Sequence, residues 1–244
     1  MNSSAARDAA IRDLVDANRI LFHQGIFDAF GHVSVRCSED PGRFFIARNL
    51  APASVTPQDI VELDVVNAAP TQPDPPPLYL EKTIHSEIYK ARADVMAVVH
   101  NHSPAVLPFA IVKGLRLRPA CHMCGFLGAG APLFEIRDSA GAATDLLIRT
   151  RELGAALART LGAHNVVLMR GHGCTVVAPT LRLAVYRAVY TEVNAKLLLR
   201  ALPHGEVEYL TLDEAHAARS TEAQIDRPWN LWRQMAQDAL RAQD

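Results

Sequence analysis

Hydrophobic side chains recur along the chain with the spacings of both helices and strands. Near the start, Ile11, Leu14 and Leu21 fall on one side of a helix predicted over residues 2–25, and Gly25 is suited to end it. Further helices are predicted at 80–92, 103–111, 144–161, 181–202 and 228–241. Short apolar runs predict strands at 32–36, 43–46, 60–63, 95–102, 165–169 and 175–177.

This mixture of elements indicates an α/β or α+β sandwich, and we expect residues 1–244 to form a single domain. The proline-rich segment 69–77 predicts an exposed, extended connection within it.

Composition narrows the class of protein. The 244 residues are 49% hydrophobic and 21% charged, which is typical of a globular protein. The net charge is −1 and no basic stripe is present, so we expect no nucleic-acid partner. Apolar runs such as 95–99 are far shorter than the roughly 20 residues that cross a bilayer, and the first residues lack the pattern of a signal peptide. We therefore expect a cytoplasmic protein without a membrane partner.

The four cysteines include one C-x-x-C, formed by Cys121 and Cys124. This spacing is compatible with a zinc site or with redox chemistry, but no second C-x-x-C accompanies it. Buried free thiols are the favoured interpretation for this pair and for Cys37 and Cys174.

Three histidines follow apolar strands. His100 and His102 lie two residues apart, a spacing that directs both side chains of a strand to one side. Two neutral imidazoles on one side suit a zinc or manganese ion. His172 lies between Gly171 and Gly173, which permit a sharp bend and a close approach, although an ordinary tight turn has the same pattern.

A carboxylate completes the candidate chemistry. On the helix predicted at 80–92, Glu81, His85 and Ile88 share a face, and Ile88 marks that face as buried. A buried carboxylate is costly unless a cation is near, so a metal would explain Glu81. A solvated carboxylate at a helix N-terminus is the alternative.

An ordered set of residues spans nearly the whole chain: the segment 31–36, Glu81, His85, Tyr89, Arg92, Asp94, His100, His102, His172 and Glu192. This set resembles the class II aldolase/adducin family, which includes L-fuculose-phosphate and L-rhamnulose-1-phosphate aldolases and L-ribulose-phosphate epimerases. The resemblance implies an α/β fold, a three-layer α/β/α sandwich with a central, mostly antiparallel sheet. It also implies a homotetramer with active sites at the subunit interfaces.

For the site, the resemblance implies that His100, His102 and His172 bind one divalent metal ion per subunit. Zinc or manganese is expected, and cobalt or iron would also suit three imidazoles. Glu81 corresponds to the family's catalytic carboxylate, and His85 to a histidine beside it.

The positions that bind phosphate in the sugar-phosphate aldolases differ here. His32 replaces an asparagine, and Tyr79 and Leu80 stand before Glu81 where small hydroxyl residues are usual. A phosphate dianion requires hydroxyls, backbone amides or cations around it, which bulky side chains do not provide. A phosphosugar substrate is therefore disfavoured.

The Gly-His-x-Ser form of residues 31–34, Arg48 and the segment 121–126 resemble one branch of this family. That branch decarboxylates hydroxylated aromatic acids, such as pyridine dicarboxylates and dihydroxyphthalates. The substrate-binding candidates are His32, Ser34, Arg48, Tyr79 and His122. Arg48 could clamp a carboxylate through two hydrogen bonds. Alternatively, Arg48 forms a surface ion pair, His32 stabilises a turn and His122 is a core histidine.

Three functions remain open from the sequence. The first is a metal-dependent lyase that decarboxylates a hydroxylated aromatic or heteroaromatic acid, with a small-molecule carboxylate as substrate. The second is retro-aldol cleavage or epimerisation of a hydroxy-carbonyl compound, such as a phosphosugar. The third is a non-catalytic, adducin-like binding module.

Overall fold

A seven-stranded sheet forms the centre of the protein. The computed structural model describes residues 3–242. The strands follow the order β3-β2-β1-β4-β7-β6-β5, and all neighbours are antiparallel except β5 and β6. Their bounds are β1 His32–Arg36, β2 Arg43–Ala47, β3 Ile60–Asp64, β4 Ala97–Asn101, β5 Leu133–Phe134, β6 Val166–Met169 and β7 Gly173–Ala178.

Helices cover both faces of this sheet. Their bounds are α1 Ser3–His23, α2 Lys82–Ala91, α3 Leu107–Ile111, α4 Arg137–Ala140, α5 Arg151–Leu161, α6 Leu181–Ala201, α7 Leu212–Ala218 and α8 Asp226–Arg241. One core contains α1, α6 and α8 with Ala97 and Val99 of β4. The other contains α2 and α5 with Val98 of the same strand. The predicted three-layer α/β/α sandwich with a mostly antiparallel sheet is confirmed.

Strands β2, β4 and β6 are largely apolar on both sides because each side meets a helical layer. In β2, Phe44 and Ile46 face the core of α2 and α5, whereas Phe45 faces the core of α1 and α6. Burial on both faces produces a continuous apolar run instead of a strict alternation, and such runs predict strands well. The segment 69–77 between β3 and α2 contains no helix or ladder strand, as expected for its prolines.

One predicted helix begins later than its apolar pattern suggested. The helix predicted at 144–161 begins at Arg151, with the Thr150 side chain accepting a hydrogen bond from the Leu153 amide. Residues 144–150 are irregular, and Leu146 has a φ of 69°. Their apolar side chains pack against the core without helical backbone hydrogen bonds, so the apolar spacing was misleading there.

Smaller differences concern the ends of elements. The strand predicted at 95–102 covers Ala97–Asn101, and the helix predicted at 103–111 covers only Leu107–Ile111. The short elements β5, α4 and α7 were not predicted. Asn2, where the first predicted helix began, lies outside the described residues.

Helices α2 and α5 touch at a glycine. A Cβ added to Gly154 would lie 2.7 Å from the Thr83 backbone oxygen, closer than real contacts allow. Gly154 therefore sets the separation between α5 and the helix that begins just after Glu81.

We predict that Gly154→Ala destabilises the protein by about 1–3 kcal/mol, because the added methyl group separates the two helices. The same change in an unconstrained helix would instead stabilise by roughly 0.5–1 kcal/mol. Urea unfolding followed by circular dichroism measures the difference. An increase in the free energy of unfolding would show that α2 and α5 tolerate a wider spacing.

Candidate metal centre

Two neighbouring strands bring the three predicted histidine ligands together. His100 lies in β4 opposite Thr175 of β7, and His102 follows one residue after β4 ends. His172 immediately precedes β7. A Cβ on Gly173 would lie 2.1 Å from the Asn101 backbone oxygen, so only glycine lets the two strands approach at this point.

Glu81 reaches the same point from the start of α2. One ligand atom from each of Glu81, His100, His102 and His172 lies within 4.8 Å of the others. Glu81 Oε2 is 3.4 Å from His172 Nε2 and 3.6 Å from His100 Nε2. His100 Nε2 and His102 Nε2 are 3.2 Å apart. The structure thus places the four residues around one position.

The orientation of His172 is fixed by the segment 144–150. Its Nδ1–H donates to the Leu146 backbone oxygen at 2.9 Å, which leaves the lone pair of Nε2 directed at Glu81 and the other histidines. Nε2 is buried and has no hydrogen-bond partner. A buried, unpartnered nitrogen in such a cluster is the arrangement expected of a metal ligand.

The same segment holds Glu81. The Ile148 amide donates to Glu81 Oε1 at 2.8 Å, and the Thr83 hydroxyl donates to the Ile148 backbone oxygen at 2.7 Å. One carboxylate oxygen is therefore fixed, while Oε2 remains directed at the histidines. The irregular backbone of residues 146–148 is necessary here, because a helix would have used these groups in its own hydrogen bonds.

His100 is held from β7. Its Nδ1 lies 3.3 Å from the Thr175 hydroxyl, which can itself donate to the Met169 sulfur at 3.6 Å. With Nδ1–H donating to Thr175, the Nε2 lone pair points into the cluster. Burial, followed by the neighbouring His172, lowers the pKa of His100 well below its usual value, so the ring is neutral and able to bind a cation.

These donors fit a divalent metal ion. Three neutral imidazoles and a carboxylate are ligands that zinc and manganese accept in proteins, and the set leaves room for exchangeable positions. A cation would also compensate the charge of Glu81, whose side chain is only 9% exposed.

Behind the cluster lies a second hydrogen-bonded chain. His32 Nδ1 lies 2.6 Å from His85 Nε2, His85 Nδ1 lies 2.6 Å from Ser34 Oγ, and Ser34 Oγ lies 2.7 Å from the Tyr89 hydroxyl. Burial lowers the pKa of His85 to about 3, so its ring is neutral. His85 and Ser34 are completely buried, and their hydrogen bonds hold His32 in position.

A cavity of about 540 Å³ opens beside the cluster. Its lining consists of Ala29, Phe30, Gly31, His32, Asn49, Leu50, Ala51, Tyr79, Leu80, Glu81, His102 and Leu147. The Tyr79 ring lies 4.8 Å from the His32 ring, centroid to centroid, and its hydroxyl donates to the Leu50 backbone oxygen at 2.7 Å. Among the described residues that line the cavity, none is an arginine or a lysine.

The substrate-binding candidates fall into two groups. His32 and Tyr79 line the cavity, where the sequence placed them. Ser34, Arg48 and His122 do not line it in this chain. Ser34 is hydrogen-bonded behind His32, and His122 is exposed beside a different cavity.

Arg48 forms an ion pair, and the carboxylate clamp expected of it stays a prediction. Arg48 Nε donates a hydrogen bond to Asp59 Oδ1 at 2.6 Å. Asp59 Oδ2 also accepts hydrogen bonds from the hydroxyl and the amide of Thr56. Asp59 therefore competes for the guanidinium group, which was the alternative that the sequence left open.

Sequence reasoning missed the backbone groups of Leu146 and Ile148, which form hydrogen bonds with the side chains of the cluster. It also missed the apolar wall formed by Phe30 and Leu147. Every residue except proline carries a backbone carbonyl and an amide N–H, so the residue type does not reveal their role. The only available signal was Thr150, a good N-cap residue that could have indicated a later helix start.

Fold and site define an α/β protein whose sheet carries a candidate divalent-metal centre of three histidines and a glutamate. The chain belongs to the class II aldolase and adducin N-terminal domain family, whose model matches residues 12–199. The predicted membership of this family is thus confirmed. No helix among residues 3–242 is long and apolar enough to cross a membrane.

Curated relatives have names that indicate lyases. The chain is 38% identical over 245 residues to decarboxylase tropJ of Talaromyces stipitatus, covering 91% of this chain and 92% of that protein. It is 31% identical over 206 residues to 3,4-dihydroxyphthalate decarboxylase of Arthrobacter keyseri, covering 78% and 77%. These names support an enzyme of the lyase kind.

A solved structure shares the fold. L-fuculose 1-phosphate aldolase from Glaciozyma antarctica PI12 superposes with a TM-score of 0.78 at 21% identity, covering 98% of this chain and 92% of that chain. At this identity the likeness shows the fold alone.

We predict that His100→Ala, His102→Ala and His172→Ala each weaken zinc or manganese binding by more than about 100-fold. Losing a residue that only orients a ligand lowers metal affinity by about 10–100-fold, and losing the ligand itself should lower it further. Titration calorimetry on chelator-treated protein, with elemental analysis, measures affinity and content. The matched control is His164→Ala, an exposed histidine outside the cluster, which should bind normally. Unchanged binding in all three variants would contradict the assignment.

Proposed function

We propose that this protein is a divalent-metal-dependent lyase that decarboxylates a hydroxylated aromatic or heteroaromatic acid. The observation that carries the proposal is the pairing of the Glu81 and histidine cluster with a largely apolar cavity beside it. The decarboxylase names of the relatives support the same reaction class.

The cavity wall favours a planar, unphosphorylated substrate. Phe30, Tyr79, Leu80 and Leu147 provide apolar and aromatic surfaces on which a ring can lie. A phosphate group would require several donors or cations, and the described lining residues supply no arginine or lysine.

Within the cluster, His100, His102 and His172 would hold the cation, with Glu81 beside it. A bound divalent cation would supply Lewis-acid stabilisation of the negative charge that develops when the carbon–carbon bond breaks. Glu81 then has the acid/base role. Its Oε1 is fixed by the Ile148 amide, and Oε2 is the atom placed to carry a proton.

The proposed reaction consumes one proton for each carbon dioxide that it releases. The bond from ring to carboxylate breaks, carbon dioxide leaves, and the electron pair remains on the ring carbon. Glu81 would take up a proton from solvent at Oε2 and transfer it to that carbon. His32, with Nδ1 engaged by His85, presents Nε2 to the cavity, where it can bond a substrate oxygen.

The remaining assignments belong to the same proposal. We infer that residues 1–244 act as one domain, because one sheet joins β1 through β7. We also propose a homotetramer and participation in aromatic catabolism, which the family resemblance implies, and a cytoplasmic location, which the short apolar runs favour. Zinc or manganese is the proposed ion, because imidazoles and a carboxylate suit both.

Carbon dioxide release from a panel of hydroxyphthalates and hydroxypyridine dicarboxylates tests the reaction. We predict metal-dependent release together with an equal amount of decarboxylated phenol. Glu81→Gln should lower kcat by roughly 10²–10⁴-fold because its amide cannot deliver the proton. The exposed Glu206→Gln is the matched control. Cleavage of hydroxy-carbonyl compounds to aldehydes without carbon dioxide would favour an aldolase, and a protein that binds no metal would favour a binding module.

A second variant tests whether Arg48 binds the substrate or forms only an ion pair. We predict that Arg48→Ala changes KM less than about threefold and lowers stability by no more than about 1 kcal/mol, as for an exposed ion pair. His32→Asn should raise KM, because this side chain lines the cavity. Steady-state kinetics and urea unfolding measure both effects. A large KM increase for Arg48→Ala alone would restore the carboxylate clamp.

A further inference from the structure

Two thiols lie together outside the candidate metal centre. Cys121 Sγ and Cys124 Sγ are 3.4 Å apart across the start of a short 3₁₀ helix, His122–Leu127. Cys121 is half-buried and Cys124 is buried. A disulfide bond is about 2.05 Å long, so the two sulfur atoms need to approach by only about 1.4 Å to form one.

The two thiols have unequal surroundings. The hydrogen bond that Cys124 donates to Cys121, followed by burial, raises the pKa of Cys124. Cys121 accepts that hydrogen bond, which lowers its pKa to about 6, with further contributions from the Met123 amide and from His122. The accessible sulfur is thus the nucleophile, and the buried sulfur lies next to it.

A metal does not suit this pair. Of the described residues, the only group of three or more side chains with converging metal-binding atoms is the one that contains Glu81. The two cysteines have no third ligand there, whereas structural zinc requires four. The zinc interpretation that the C-x-x-C spacing allowed is therefore not supported, and dithiol chemistry remains.

We propose that Cys121 and Cys124 form a reactive dithiol that takes low-molecular-weight disulfides as its substrate class and closes to an intramolecular disulfide. The Cys121 thiolate attacks one sulfur of the small disulfide and releases one small thiol. Cys124, after losing its proton to solvent, attacks Cys121 Sγ in the mixed disulfide and releases the second. The two cysteines lose two hydrogen atoms and the small disulfide gains them.

The surroundings of the motif favour closure without rebuilding the backbone. A Cβ on Gly125 would lie 2.3 Å from the Ala215 backbone oxygen, so the 3₁₀ helix is packed tightly on α7. The two sulfur atoms already lie within contact distance, so closure requires only a short movement of the thiols.

Treatment of the native protein with oxidised glutathione, followed by intact mass and peptide mapping, tests the proposal. We expect the wild type to lose two hydrogen atoms at a Cys121–Cys124 linkage. Cys124→Ser should accumulate one glutathione at Cys121, and Cys121→Ser should form neither product at this motif. Cys37→Ser is the matched control, since it removes another half-buried thiol, and it should behave as the wild type does.

Persistent glutathione adducts on the wild type without the internal disulfide would overturn the proposal. So would oxidation of wild type and Cys121→Ser at equal rates. If Cys124→Ser fails to fold, the wild type and the Cys121→Ser variant still decide the matter. This test does not depend on the proposed lyase activity.

Discussion

The close approach of β4 and β7 is the constraint on which the site depends. His100 and His102 belong to one strand end and His172 to the turn before the other, so the ligands converge only if these backbones nearly touch. The lack of a side chain at Gly173 permits that contact, since a Cβ would lie 2.1 Å from the Asn101 oxygen. The hydrogen-bonded ladder then fixes the separation of the imidazoles with the rigidity of a sheet.

Around this contact lie buried imidazoles and one buried carboxylate. Burial lowers the pKa of His100 and of His32 well below the usual value, which favours uncharged rings at these two positions. Glu81 is buried among them, and the His172 Nε2 atom has no partner. A divalent ion would satisfy the carboxylate and the unpaired nitrogen together, and the apolar cavity wall beside it would strengthen electrostatic interactions with a substrate.

The sequence predicted the sandwich, most strands and the four clustered residues. These features depend on residue type and spacing: apolar runs for strands, and His-x-His and Gly-His-Gly after two of them. The roles of Leu146 and Ile148 could not be predicted, because they act through backbone atoms in a segment with helical spacing. The ion pair of Arg48 with Asp59 could not be predicted either, because the position of Asp59 beside β2 follows from tertiary packing.

X-ray absorption spectroscopy of the protein loaded with zinc tests the central claim most directly, because it reports the atoms bound to the ion. The account predicts a first shell of nitrogen and oxygen at about 2.0–2.2 Å, with outer-shell scattering from three imidazoles. A shell containing sulfur at about 2.3 Å, or scattering from fewer imidazoles in the fully loaded protein, would contradict it.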